Sequence, residues 1–376
     1  MKKKIFFIHC NELEKLKYEG CPFDTSRAGK TLRILQTTGL FPGPGRELAR
    51  PEPASRAEVE KFHTIRYLNV LSRAAKGSID EKCLEMGLGT ADCPFFADMY
   101  EYPLWAAGAS LLAARLITSG RAQTAFNPSG GFHHAFPGRA GGFCYINDIV
   151  LACLELAGAG MKVMVIDIDI HHGDAVQAAF YNRDDIMTLS FHESGRILFP
   201  GTGFVEELGE GRGRGYAVNV PLPANTYDEA YLHVFETVTS PLMKVYNPDV
   251  IVLEIGLDGL AGDPLGHFKL TNNVYADVIS FIMKSGKPIL ATGGGGYNIE
   301  NTARGWALAW SVFCGEDSKV DSMLGLGGVM LQTAEWQGGL RDRVLVPDEI
   351  ERESVDKEIK KILAEVKNNI FPIHGI

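Results

Sequence analysis

Paired cysteines, long apolar runs and an excess of positive charge are all missing from this chain of 376 residues. The seven cysteines, Cys10, Cys21, Cys83, Cys93, Cys144, Cys153 and Cys314, show no CxxC spacing and are odd in number. That argues against a disulfide framework and points to free thiols in a reducing compartment, with the cytoplasm as the expectation. No stretch is long and apolar enough to span a bilayer, so no membrane partner is expected. The start, MKKKIFFIHC, has the charges of a signal peptide. Its apolar part, residues 5–8, is too short for one and reads as a first buried strand. The net charge of −9 argues against a general nucleic-acid binder. It is compatible with a cationic partner without selecting one. Internal repeats and low-complexity segments are absent, and the glycine loop 293–296 lacks the GxGxxG and GK[ST] phosphate-binding patterns.

What the chain does have is 45% hydrophobic residues, enough to bury a sizeable core. From residue 122 onward, short apolar runs alternate with helical patterns. Strands are expected at about 122–126, 162–168, 186–191, 250–255 and 288–292. Helices are expected at about 147–158, 174–181, 227–246, 274–285 and 299–314. Upstream, helices are expected at about 26–38, from Ser55 to about His63, and at 104–119. Ser55 with Glu58 has capping-box chemistry. The Gly/Pro-rich segment GLFPGPGRELARPEP should be irregular. Pro347 and Asp348 open a last helix, with Ile350, Val355, Ile359, Ile362 and Val366 on one side. Runs that are continuously apolar, rather than alternating, imply a mainly parallel sheet covered by helices on both faces. In such sheets ligands bind beyond the carboxyl ends of the strands. Each polar cluster of the chain sits just there.

The densest cluster is residues 163–174, VMVIDIDIHHGD. Alternation puts Asp167, Asp169 and His171 on one face and Ile166, Ile168 and Ile170 on the other. Burying that many polar groups is costly unless metal or partners satisfy them. Asp169 and His171 supply two metal ligands, and Asp258 in GLDG a third. An Asp/His/Asp set with open positions suits a catalytic zinc, with Fe(II), Mn(II) or Co(II) as alternatives. The bland reading is that these residues only cap strands and helices. The tandem His133-His134 pair offers a general base or acid, oriented by carboxylates such as Asp167 and Asp174; loop packing is its rival reading. Tyr297 follows four glycines and is placed to donate to an oxyanion. Arg212 and Arg214 read as a solvated loop.

The strings NPSGGFHHA, GFCYINDIV, VIDIDIHHGDAVQAAFY, LSFHESGRILFPGTG, LAGDPLGHF and TGGGGYN resemble the metal-dependent histone deacetylases, including their bacterial relatives, the acetoin-utilisation deacetylases and acetylpolyamine amidohydrolases. The likeness runs from Phe126 to about Trp310 and is closer to the class I type. It implies an arginase/deacetylase α/β fold with a central eight-stranded, mainly parallel sheet. It implies one domain over residues 1–376, with a catalytic core at 1–315 and a helical extension at 316–376 packing on it. It implies a zinc-dependent amidohydrolase that removes acetyl or other acyl groups from lysine ε-amines of proteins or peptides. The alternative is an acetylpolyamine amidohydrolase. An arginase-like ureohydrolase is disfavoured, because GLDG lacks a second aspartate two residues on.

The resemblance also assigns roles. Asp169, His171 and Asp258 match zinc ligands. His133 and His134 match a catalytic pair partnered by Asp167 and Asp174 respectively, and Tyr297 matches the transition-state tyrosine. Phe143 and Phe199 match the aromatic walls of the acyl-lysine channel, Leu265 its rim, Gly142 a carbonyl along it, and Asp92 a carboxylate that holds the substrate backbone. Arg27 corresponds to an arginine at the inner end. Structural K+ is implied at Asp167, Ser190 and Phe191, with backbone carbonyls of Asp169 and His171. A second K+ is implied at Phe180, Arg183, Ile186 and Tyr216. His172 is left with a structural role. Departures are Leu257 and Gly259 beside Asp258, one extra residue before Phe199, and Gly20-Cys21-Pro22 in place of an HP motif. Pro264 stands where corepressor-recruited members carry an arginine that helps bind inositol phosphate, which argues against that partner. No oligomeric state is implied.

Overall fold

Continuous apolar runs need cover on both sides, and the chain supplies it. In a computed structural model that describes residues 4–317 and 339–376, eight strands form one sheet in the order β2-β1-β3-β8-β7-β4-β5-β6. They are β1 (Lys4–Ile8), β2 (Arg46–Ala49), β3 (Ala122–Asn127), β4 (Val163–Asp167), β5 (Ile186–Glu193), β6 (Ala217–Leu222), β7 (Val250–Glu254) and β8 (Ile289–Thr292). Every ladder is parallel. The polar strand ends therefore all open on one edge.

Alternate residues of β4 feed two different cores. Val163 and Val165 pack with helices Glu101–Thr118 and Asp148–Gly158 on one face. Met164 and Ile166 pack with Asp228–Tyr246, Asn272–Met283 and Ile299–Phe313 on the other. Ile168 and Ile170 continue into that second core beyond the strand's end, so the alternation outlasts the hydrogen-bonded ladder. A third core holds Tyr18, Phe23, Tyr67, Tyr102, Phe132 and Tyr145, and lies against the loops that leave β3. Its rings meet in a mesh of tilted and edge contacts, with Tyr18 4.5 Å from Phe96 and 4.7 Å from Phe23.

Two expectations need correction. The segment GLFPGPGRELARPEP is not wholly irregular, because Arg46–Ala49 pairs with β1 as the edge strand β2. Backbone pairing with a buried neighbour outweighs the local Gly/Pro signals. Ile350 does not share the buried stripe of the last helix, Glu349–Asn369: it is 82% exposed, while Val355, Ile359, Ile362 and Val366 are buried. Ile350 lies in the first turn, before the helix reaches the body of the protein. Asp348 caps that helix by accepting from Glu351 N–H. The capping box of Ser55 and Glu58 is present. No helix among the described residues is long and apolar enough to cross a membrane.

Candidate active site

The chain leaves β4 as a succession of carboxylates that bind their own backbone. Asp167 Oδ1 accepts from Asp169 N–H at 3.1 Å, and Asp169 Oδ1 from His171 N–H at 2.9 Å. Asp258, four residues past β7, accepts from Ile170 N–H at 3.0 Å and so ties the two strand ends together. This aligns Asp169, His171 and Asp258, all buried, with donor atoms within 4.8 Å of one another. His171 Nδ1 lies 3.1 Å from Asp169 Oδ1 and 3.0 Å from Asp258 Oδ2.

Two glycines close the cradle. A Cβ on Gly256 would fall 1.9 Å from Asp169 Oδ2, and one on Gly295 1.8 Å from Asp258 Oδ2. The two carboxylates of the cradle attract positive charge. Burial lowers the proton affinity of His171, yet its hydrogen bonds to Asp169 and Asp258 outweigh that and raise its pKa to about 10. Burial raises the Asp169 carboxyl, but His133 and His171 hold it below the usual carboxylate range. Two carboxylates and one imidazole converging in a dry pocket fit a divalent cation with open coordination positions.

The two imidazoles beside it stand on the loop after β3. Asp148, the first residue of its helix, accepts from the N–H groups of Gly131 and Phe132 and from Ser110 Oγ. Asn147 caps the same helix and also donates to Ala135 O. Held at both ends, the loop puts His133 Nδ1 2.9 Å from Asp167 Oδ2 and His134 Nδ1 2.8 Å from Asp174 Oδ1. These are the partners that the resemblance assigns. The rings are 4.0 Å apart but titrate oppositely. For His133, burial is outweighed by Asp167 and Asp169, and the pKa rises to about 9. For His134, burial and the neighbouring His133 prevail over Asp174, and it falls to about 4. Near neutrality one ring holds a proton and the other has a free lone pair. Asp169 is one of the charges retaining the proton on His133, so a cation bound there loosens it.

Tyr297 is placed by two loops. Its N–H donates to Asp263 Oδ2 at 2.7 Å, while Asp263 Oδ1 accepts from Leu265 N–H at 3.0 Å. Burial pushes its phenol well above the usual range, so it remains a donor. Arg27, 2% exposed, braces the glycine loop by donating to Gly296 O at 2.8 Å. Its guanidinium lies over Phe23 and Trp306. It is a brace for the loop behind Tyr297.

The way in is narrow. The cavity touching His133, His134, Phe143, His171 and Tyr297 has a volume of about 20 Å³. Phe143 adopts φ 63°, a costly conformation for a residue with a side chain. Its backbone is fixed by Tyr18 Oη donating to its carbonyl at 2.6 Å and by its own N–H donating to Asp92 O at 2.9 Å. Its ring meets that of Tyr297 edge-on at 5.7 Å. Phe199, 45% exposed, stands 5.0 Å from the His134 ring. It lines the pocket beside that cavity, with Asp92, His134 and Gly141. Gly142 fits between them, since a Cβ there would lie 2.4 Å from His134 and 2.9 Å from Phe199. Both oxygens of Asp92 are engaged inward, with Thr90 Oγ1 and Gly142 N–H.

Asp167 and Ser190 are register partners on β4 and β5, and Phe191 follows in the core. The Ser190 hydroxyl pairs with His192 Nδ1 at 2.8 Å. Phe180, Arg183 and Ile186 lie along the turn that enters β5, and Tyr216 O accepts from Thr188 N–H at 2.8 Å. His172 is buried between Thr202 and Gln177, and its ring meets that of His192 at a tilt, 4.7 Å away. Sequence reasoning passed over Asp148, Asp263 and Glu254. Asp148 had a signal, an acidic residue at a helix start beside an Asn cap. Asp263 acts on a loop that it meets only in space, and Glu254 closes an apolar strand.

An eight-stranded parallel sheet with this carboxylate–imidazole pocket beyond its strand ends defines an α/β protein of the arginase/deacetylase fold. A family model described as the histone deacetylase domain matches residues 21–313. The chain belongs to the histone deacetylase family, which acts on acetylated lysine. It is 38% identical to histone deacetylase RPD3 of Saccharomyces cerevisiae over 311 residues, 82% of this chain and 71% of the yeast protein. It is 38% identical to histone deacetylase 1 of Homo sapiens over 315 residues, 83% of this chain and 64% of that protein. It thus spans less than two thirds of the human protein. Among solved structures, an HDAC homologue complexed with SAHA matches with TM-score 0.85 and 31% identity, covering 97% of this chain and all of that one. An HDAC homologue from Aquifex aeolicus matches with TM-score 0.84, 30% identity and the same coverage.

Proposed function

We propose that this chain is a zinc-dependent deacylase that hydrolyses the amide of acetylated lysine in proteins or peptides. The observation that carries the reading is the convergence of Asp169, His171 and Asp258 with two His–Asp pairs and Tyr297 at the end of an aromatic-walled slot. Asp169, His171 and Asp258 would hold the zinc ion, whose chemistry there would be Lewis-acid polarisation of the acyl carbonyl. His134, unprotonated near neutrality, takes the proton of the attacking water, with Asp174 stabilising the charge it acquires. His133, held protonated by Asp167, delivers a proton to the leaving amine. The Tyr297 hydroxyl donates to the oxyanion that forms in between. Phe143 and Phe199 flank the lysine methylenes, and an apolar slot disfavours a free ammonium.

The same reading puts structural K+ at Asp167, Ser190 and Phe191, where the ends of β4 and β5 pair, and a second K+ at Phe180, Arg183, Ile186 and Tyr216, around the start of β5. Residues 1–376 then act as one catalytic unit, the last helix packing on β6 and on Asp228–Tyr246. The test is turnover on acetyl-lysine peptides beside acetylated polyamines, with and without chelator. Peptide turnover should be lost on chelation and restored by zinc. Faster turnover of acetylated polyamines than of every peptide would make the small amine the substrate instead.

A further inference from the structure

Glu254 ends β7, beside Asp167 in the parallel ladder, and its side chain is fully buried. Oε2 accepts from Gly256 N–H at 3.0 Å. Oε1 accepts from no donor group among the described residues, and the Glu254 carboxyl lies within hydrogen-bonding reach of the Asp167 carboxylate. A Cβ on Gly294 would fall 1.9 Å from Oε1, so the glycine loop covers that oxygen closely. Two buried carboxyls in contact are costly unless a proton or a cation lies between them, and the reaction above makes no use of Glu254. Its surroundings say what it lacks. Donor atoms of Glu254, Asp169 and His133 lie within 4.8 Å of one another and all three residues are buried. His133 Nε2 is 3.9 Å from Asp169 Oδ1. Asp167 and Asp258 add further negative charge nearby.

We propose that Glu254, Asp169 and His133 form a second divalent-cation site that shares Asp169 with the first. The inference rests on the reading that Asp169, His171 and Asp258 hold the first ion. Two carboxylates and an imidazole suit Zn2+ or Mn2+. A shared carboxylate sets the two ions roughly 3.5–4 Å apart, the spacing of two-metal centres. The second ion binds more weakly, because Asp169 already serves the first. It also engages an imidazole that the reaction needs, so filling the second site inhibits.

The metal-stripped full chain, titrated with Mn2+ and followed by calorimetry and electron paramagnetic resonance, tests this. The expected result is two equivalents, the second at least about tenfold weaker (a factor of ten in affinity), with a spin-coupled pair signal when both are bound. Glu254→Gln, which keeps the shape, should bind one equivalent and show only the uncoupled signal. A single equivalent in the wild type, two uncoupled ions, or a second equivalent retained by Glu254→Gln overturns the proposal. Binding of no ion at all overturns the first site with it. If Glu254→Gln fails to fold, the wild-type stoichiometry and coupling still decide.

Discussion

A single hydroxyl carries the sharpest expectation at the scale of the residue. Tyr297 is a neutral donor on a backbone clamped by Asp263 and Arg27. Its replacement by Phe removes the donor and leaves the clamp, so kcat should fall about 10²–10³-fold. The urea midpoint should stay within error; unchanged turnover would remove Tyr297 from the chemistry. His63 makes a different prediction. It is buried, its Nε2 accepts from Asn147 N–H at 3.0 Å, and burial lowers its pKa to about 4. The folded chain thus favours neutral imidazole more than the unfolded chain does. The resulting stability is fully present above the unfolded pKa of 6.5 and is lost as pH falls from there toward 4. The loss is on the order of 3 kcal/mol. Denaturant unfolding at a series of pH values, wild type against His63→Gln, should show that acid sensitivity reduced in the variant. His133, His134, Asp169, His171 and Tyr297 were legible in the sequence because they sit in dense, ordered motifs. Asp263 was not, because it acts on a loop far away in sequence, and Glu254 was not, because it ends an otherwise apolar strand with no motif around it.

At the scale of the element, the helix Asp148–Gly158 does more than cover the sheet. Its first residue holds the loop of the two imidazoles, and its cap, Asn147, ties that loop's far end. Asn147→Ala should cost about 1–2 kcal/mol of stability through the lost cap. It should also lower kcat, since the loop is released where the His–Asp pairs form. Urea melts and steady-state kinetics check the two effects separately; intact kcat with lost stability would confine Asn147 to capping. The strands that the sequence hid lie at the two edges of the sheet. Arg46–Ala49 is short, half-exposed and charged, surrounded by Gly and Pro. Ala217–Leu222 carries Asn219 and Pro221, which mask a buried strand; proline is tolerated there because an edge leaves one side of the ladder free. The central strands were readable because burial on both faces makes them uniformly apolar.

At the scale of the whole molecule, the carboxylate–imidazole cradle joins the ends of β4, β7 and the loop after β8. A cation that binds only this assembled state stabilises the entire fold, by about 4 kcal/mol when free ion exceeds its Kd a thousandfold. Removing metal should therefore lower Tm by several degrees along with activity, and zinc should restore both. Scanning calorimetry on stripped and reloaded protein checks this; an unchanged Tm would mean that the cradle is rigid without its ion or never holds one.

The strand order has a consequence for how the chain is made. β3 and β4 follow one another in sequence, yet β8 and β7 lie between them in the sheet. The nascent protein cannot zip its middle until Thr292 has left the ribosome. At roughly 5–20 residues per second, the stretch beyond Asp167 takes on the order of ten seconds to appear. For that interval the inner edges of β3 and β4 stand open, each a template for pairing with another chain. Their apolar faces are exposed together with the half-built aspartate cluster. Synthesis of this enzyme should be sensitive to translation speed and to chaperones that shield strand edges, and a stall between β4 and β7 should be the point at which most product is lost to aggregation.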